Sequence, residues 1–179
     1  MEIRLEQLVV RLEQKDDYRE VENLTREAFW DVYRPGCSEH LVLHKLRNAK
    51  SFISDLDYVF VVDKKIIANI VYTKMFNEKG EMLNDVIAFG PISVHPEYQK
   101  RGIGKKIIEI SINRAKELGY KAVLITGNDK FYNPLGFEGA YKYGVTLPGM
   151  SVEDKAEFFM AMELEKGYLS KHSGVYNFD

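Results

Sequence analysis

Phe89-Gly-Pro-Ile-Ser-Val-His-Pro-Glu-Tyr-Gln-Lys-Arg-Gly-Ile-Gly-Lys-Lys-Ile-Ile108 is the stretch on which the reading of this chain turns. It runs from a strand through a proline turn into a basic, glycine-bearing loop, and then into the first turn of a helix. Helix N-termini leave backbone N–H groups unpaired and carry partial positive charge. Glycines at 102 and 104 let an oxygen-rich ligand approach that backbone closely. The loop is therefore expected to grip a pyrophosphate. Pro91 cannot donate to a sheet ladder, so Gly90-Pro91 predicts a bulge or splay that exposes backbone groups of the same strand.

Working outward, Met82–Val94 reads as the strand that carries this break, and Gly102–Leu118 as an amphipathic helix stopped by Gly119. Lys121–Thr126 is a further strand, so strand, helix and strand form a parallel crossover with the loop at its turn. Upstream, Tyr58–Val62 and Ile66–Phe76 flank an Asp63-Lys64-Lys65 turn and predict a hairpin. Before it, residues 3–12 suit a first strand, a helix capped by Asp16 or Asp17 carries Val21, Leu24, Ala28 and Phe29, and a second helix starts near Glu39. Downstream, Asn128 or Asp129 caps a short helix ended by Pro134 and Gly136. A final strand pair is expected within residues 137–145 and at Glu157–Leu164. The tail from Lys166 has no clear periodicity.

The bulk numbers narrow the function classes. A chain of 179 residues is most naturally one domain, residues 1–179, able to bury roughly two-thirds of its unfolded surface. A net charge of −2 argues against nucleic acid or an anionic membrane as partner, so an anion site must be local. The single cysteine excludes an internal disulfide and fits a cytoplasmic setting. No signal-peptide pattern and no apolar run of spanning length is seen.

Two familiar phosphate motifs fail here. A dinucleotide fingerprint needs a third glycine where Ile107 stands, and a P-loop needs glycine at Gln99 and a hydroxyl at Lys106. What remains is Gln99-x-x-Gly102-x-Gly104, followed some thirty positions on by Phe131-Tyr132-x-x-Leu135-Gly136-Phe137. In these two motifs and in its element order, the chain resembles the GNAT superfamily of acyl-CoA-dependent N-acetyltransferases.

The resemblance implies an α/β (α+β) fold: a mixed, mostly antiparallel sheet of six to seven strands, splayed at the cofactor site, with helices on both faces. It implies that the backbone of Gln99, Lys100, Arg101, Gly102, Ile103, Gly104 and Lys105 holds the pyrophosphate of acetyl-CoA. It also implies that Ile92, Ser93 and Val94 pair with the pantetheine arm, and that Asn128, Phe131 and Tyr132 lie at the cofactor, although no family-type Asn-x-x-Ala precedes Phe131. Tyr132 falls at the usual general-acid position; a phenol near pKa 10 is within about two units of a thiol near 8.5 and can supply its proton. Many relatives carry a basic glutamate on the splayed strand. Here Asp85 is the only carboxylate there, with Glu27 and a water relay as the other candidates for the base. Trp30, Tyr33 and the segment from Tyr141 to Met150 are placed by the resemblance at the acceptor.

Other residues carry less. His95-Pro96 reads as turn geometry, His40 and His44 as a solvated helix face without a third metal ligand, and Cys37 lacks a neighbouring base in sequence. Lys100, Arg101, Lys105 and Lys106 suit one cofactor's phosphates better than RNA, having no interleaved aromatics. The expected activity is acetyl transfer from acetyl-CoA to a primary amine of a small molecule, by a monomer or homodimer and without a metal. The alternatives are a protein or peptide acceptor, and a non-catalytic acyl-CoA-binding module.

Overall fold

The computed structural model describes residues 7–179. Packing divides the chain into two compact units, one of Met1–Tyr72 with Gly90–Asn113, the other of Thr73–Phe89 with Arg114–Asp179.

In the first unit, β1 (Val9–Leu12) pairs antiparallel with β2 (Tyr58–Val62), and β2 pairs antiparallel with β3 (Lys65–Asn77). Of the first strand expected over residues 3–12, Ile3 and Leu5 lie outside the described residues. Asp63 and Lys64 close the β2–β3 hairpin with φ of 48° and 65°. That is the doubly left-handed backbone of a two-residue turn, whose twist matches its strands. β4 (Met82–Val94) has the bounds expected of it, and the His95 N–H beyond its end donates to the Ile67 carbonyl of β3 at 2.8 Å. Helices α1 (Tyr18–Phe29) and α2 (Glu39–Leu46) bury Val21, Leu24 and Leu43 against Val59, Ile66 and Val71. Helix α3 (Ile103–Glu117) buries Ile103, Ile107, Ile108 and Ile112.

The expected cap of α1 is corrected. The Asp17 carboxylate turns back to Arg11, at 2.6 and 2.9 Å, and to the Gln14 N–H, at 2.7 Å, so it closes the preceding 3-10 turn and makes no bond to α1. Local competition for a strong acceptor decided this, since the two charge-assisted bonds from Arg11 hold the carboxylate on the side of β1, where the Gln14 N–H also meets it.

A buried ionic network also belongs to this unit. Arg47, with a side chain only 4% exposed, holds Glu13 through two N–H groups, donates to Glu22 at 2.7 Å and covers the Tyr18 ring at 4.0 Å. Asp57, 3% exposed, accepts from the Asn69 amide at 2.9 Å. Burial, then the hydrogen bond and charge of Glu13, push the Asp57 carboxyl up to about 9. The proton between the two carboxyls is therefore carried by Asp57.

In the second unit, β5 (Ala122–Thr126) runs parallel to β4 and antiparallel to β8 (Phe159–Glu163), which also pairs with the two-residue β6 (Glu138–Gly139). The tail, left without an element by its sequence, forms α5 (Tyr168–Lys171) and β9 (Gly174–Asn177). β9 pairs with the end of β3 and with β7 (Val145–Thr146). These short strands extend the six or seven expected to nine among the described residues. The core of this unit gathers Met75, Val86, Leu124, Phe159, Leu169 and Tyr176. Among the described residues no helix is long and apolar enough to cross a membrane, and no group of three or more His, Cys, Asp and Glu could hold a metal ion.

Candidate active site

The loop after β4 is built by its turn residues. His95 caps a 3-10 turn over Pro96–Tyr98, its Nδ1 accepting the Glu97 N–H at 3.3 Å. Its Nε2 lies 3.1 Å from Lys65 Nζ and 3.2 Å from Glu27 Oε2. The Gln99 amide then reaches back and donates to the Val94 carbonyl at 3.0 Å. Lys100 and Gly102 follow with φ of 60° and 78°, a backbone that glycine adopts without strain. The first helical bond beyond them runs from the Lys106 N–H to the Gly102 carbonyl, at 3.0 Å. The N–H groups of Ile103, Gly104 and Lys105 precede it and point out of the open end of α3. Lys105 and Arg101 are exposed beside this nest.

The end of β4 has a definite orientation. In a strand, N–H and C=O of alternate residues point to opposite edges. Since His95 bonds β3, Ser93 faces β3 too, and Ile92 and Val94 turn their backbone groups away from it. Val94 gives its carbonyl to Gln99, which leaves its N–H and both groups of Ile92 directed to the other edge. The register of β4 with β5 runs from Val86 opposite Ala122 to Ala88 opposite Leu124, whereas β5 goes on pairing with β8 as far as Thr126. The parallel ladder thus stops one residue before Phe89. Gly90 next takes φ of 144°, outside the range of ordinary side chains. The Ser93 side chain is buried and anchors this end of β4 to α1, its hydroxyl donating to Thr25 Oγ1 at 3.0 Å, while Thr25 donates to the Val21 carbonyl at 2.9 Å.

In the second unit, α4 (Asp129–Tyr132) starts on Asn128, whose side chain accepts the Lys130 N–H at 3.0 Å. That capping bond occupies the Asn128 carbonyl. Tyr132 sits half-buried among Phe89, Phe131 and Phe137, with ring centroids 5.9, 4.8 and 5.8 Å away. Phe137 is fully buried, so it acts as the floor of this aromatic box, while Phe131 is exposed at its rim.

Residues 55–139 match the model of the acetyltransferase (GNAT) domain. The uncharacterized N-acetyltransferase YhbS of Escherichia coli is 25% identical over 131 residues, 73% of this chain and 74% of its own. Over residues 55–139 the chain is thus similar to the GNAT family. A second relative, the uncharacterized N-acetyltransferase YjhQ of Escherichia coli, is 32% identical over 75 residues, and the match spans 41% of each chain. Two crystal structures share the GNAT fold: that of YhbS from Escherichia coli in complex with CoA, and that of a GNAT family acetyltransferase from Brucella melitensis in complex with acetyl-CoA. The first has a TM-score of 0.82 at 21% identity, covering 97% of this chain and 90% of that one. The second has a TM-score of 0.77 at 20% identity, covering 96% of each.

Within this GNAT fold the two carboxylates considered as base are both engaged. Asp85 Oδ2 accepts the Tyr168 hydroxyl at 3.2 Å, and burial, then Asp85, push that phenol up to about 12. Asp85 also lies four residues, about 13 Å along the strand, before Phe89. Glu27 is occupied by His95. Trp30 and Tyr33 are 55% and 80% exposed, in the turn after α1, and do not fill a core. In the second unit, Tyr141, Val145, Leu147, Met150 and Phe159 line a shallow hollow, with the Tyr141 hydroxyl donating to Glu157 at 2.8 Å. Sequence reasoning passed over Thr25, the hydroxyl that holds Ser93, and Gly127, against which the Tyr132 ring lies. Thr25 falls on the apolar face of α1 four residues after Val21, which was the available signal.

Proposed function

We propose that the chain transfers the acetyl group of acetyl-CoA directly to a primary amine of a small molecule, with residues 1–179 working as one domain. The observation that carries this is the backbone of Ile92 and Val94 turned from β3, immediately ahead of the N–H groups at the start of α3. One stretch of chain thus offers an extended edge suited to an amide-bearing arm and a nest suited to a pyrophosphate. The CoA and acetyl-CoA held by the two structural neighbours support the same reading.

In this reading the amine nitrogen attacks the thioester carbonyl, an N–C bond forms, and the C–S bond breaks. A backbone N–H of the Ile92–Val94 edge stabilises the oxyanion between the two events. The Tyr132 hydroxyl gives its proton to the leaving sulfur and is reprotonated from solvent. Because Asp85 and Glu27 are already bonded to Tyr168 and His95, the proton of the attacking amine passes to water. Calorimetry with acetyl-CoA, and release of free thiol across a panel of amines and peptides, test the proposal. Absence of both binding and thiol release would overturn it, and turnover confined to peptides would move the acceptor to a protein terminus.

A further inference from the structure

The ring of Tyr132 lies against the bare backbone of Gly127. A Cβ built on Gly127 would stand 2.6 Å from Tyr132 Cε2, 3.3 Å from Cδ2 and 3.7 Å from Cζ. Gly127 is not among the residues with positive φ, so its backbone does not demand glycine, and what demands it is the ring. Neither side can easily give way. Gly127 is held by its N–H, which donates to the Phe158 carbonyl at 2.9 Å, just past the β5–β8 ladder. Phe89, Phe131 and Phe137 also pack on the ring, at 5.9, 4.8 and 5.8 Å between centroids.

We infer that Gly127 is a positioning residue of the reaction: the missing side chain sets where the Tyr132 hydroxyl stands. This rests on the proposed role of Tyr132 as the acid. Ordinary contact begins near 3.4 Å, so a methyl group at 127 displaces the ring edge by about 0.8 Å. A turn about Cβ–Cγ would spare the hydroxyl, which lies on that axis, but the packed rings of Phe89, Phe131 and Phe137 oppose it, so the ring shifts as a body and carries the hydroxyl with it. A displacement of about 1 Å in a reacting group costs on the order of a hundredfold in rate.

The test is a double-mutant cycle of Gly127→Ala and Tyr132→Phe in the full chain, with thiol release measured at saturating acetyl-CoA. Gly127→Ala is expected to lower kcat between ten- and a hundredfold while leaving the KM for acetyl-CoA within about twofold, a split that general loosening of the fold does not produce. Added to Tyr132→Phe, it is expected to cost no more than about twofold further. Equal losses in both backgrounds, or wild-type kcat in Gly127→Ala beside a slow Tyr132→Phe, would overturn the inference and leave the acid role standing. Wild-type turnover in Tyr132→Phe would remove the acid role and the inference with it. If Gly127→Ala folds poorly, its Tm is compared with that of Gly127→Ala in a Tyr132→Ala background. Added there, the alanine at 127 is expected to lower Tm by no more than about 1 °C, and a loss as large as in the wild-type background would show that the ring is not what the glycine accommodates.

Discussion

Replacing Asp57 by asparagine is expected to make the protein more stable as pH rises. The folded-state pKa of Asp57 is raised to about 9 from an ordinary value of 3.8. Its stabilising contribution is therefore complete below about pH 4 and is lost as pH climbs toward 9, because across that window the folded chain must keep a proton that the unfolded chain has released. One proton of difference corresponds to a slope of about 1.4 kcal/mol per pH unit, or about 2.7 kcal/mol between pH 6 and pH 8. Asparagine keeps the shape, accepts the Asn69 amide through its own oxygen, and donates to Glu13 without taking up a proton. The stability of Asp57→Asn relative to wild type should thus rise by about 2.7 kcal/mol from pH 6 to pH 8, about 5 to 11 °C in Tm for a chain of this size. Urea titrations followed by circular dichroism at several pH values measure that difference directly. Parallel pH profiles of the two proteins would refute the reasoning, since they would mean that Asp57 is ionised in the fold.

Glu13→Gln strips the buried Arg47 of its main partner and should destabilise by about 3 to 5 kcal/mol, as urea midpoints would reveal. Thr25→Val leaves the buried Ser93 hydroxyl without its acceptor and should cost about 1 to 3 kcal/mol; Ser93→Ala, which leaves Thr25 bonded to Val21, should cost less than about 1 kcal/mol, a contrast that thermal unfolding can resolve. Gly102→Ala meets no atom within 4 Å but must hold φ of 78°, so acetyl-CoA affinity in calorimetry should fall about tenfold with the fold intact. Glu27→Gln and Asp85→Asn should each keep kcat within about threefold, and log kcat/KM should rise with unit slope up to the pKa of the amine; an acidic limb lost in either variant would instead mark that carboxylate as the base.

Much of the frame was legible because its signals are local. The bounds of β4, the hairpin closed at Asp63-Lys64, the start of α3 and its stop at Gly119 follow from turn residues and apolar period within a few positions. The glycine-bearing loop ahead of α3 was legible for the same reason: glycine, proline and a helix start act on the backbone they belong to. Side chains with a choice of partner were not. Asp17 could bond its own helix or Arg11, and only the placement of β1 decided. Asp85 reads from sequence as a free carboxylate on the key strand, yet it receives the hydroxyl of Tyr168, 83 residues on. β9 escaped notice because four residues carry too little pattern, and its pairing with β3 joins Phe76 to Asn177 and Asn77 to Tyr176, far apart in sequence.

The sequence by itself determined the GNAT frame, the loop that ends at Gly104 and the identity of Tyr132 as a candidate acid, since motif spacing and periodicity survive without coordinates. Only the tertiary structure decided that Gly127 seats that tyrosine, that Asp57 holds a proton beneath Glu13 and Arg47, and that Glu27 and Asp85 are already engaged. The physical reason is range: backbone conformation is set by neighbours along the chain, whereas contact, burial and protonation are set by whatever folding brings within a few ångströms.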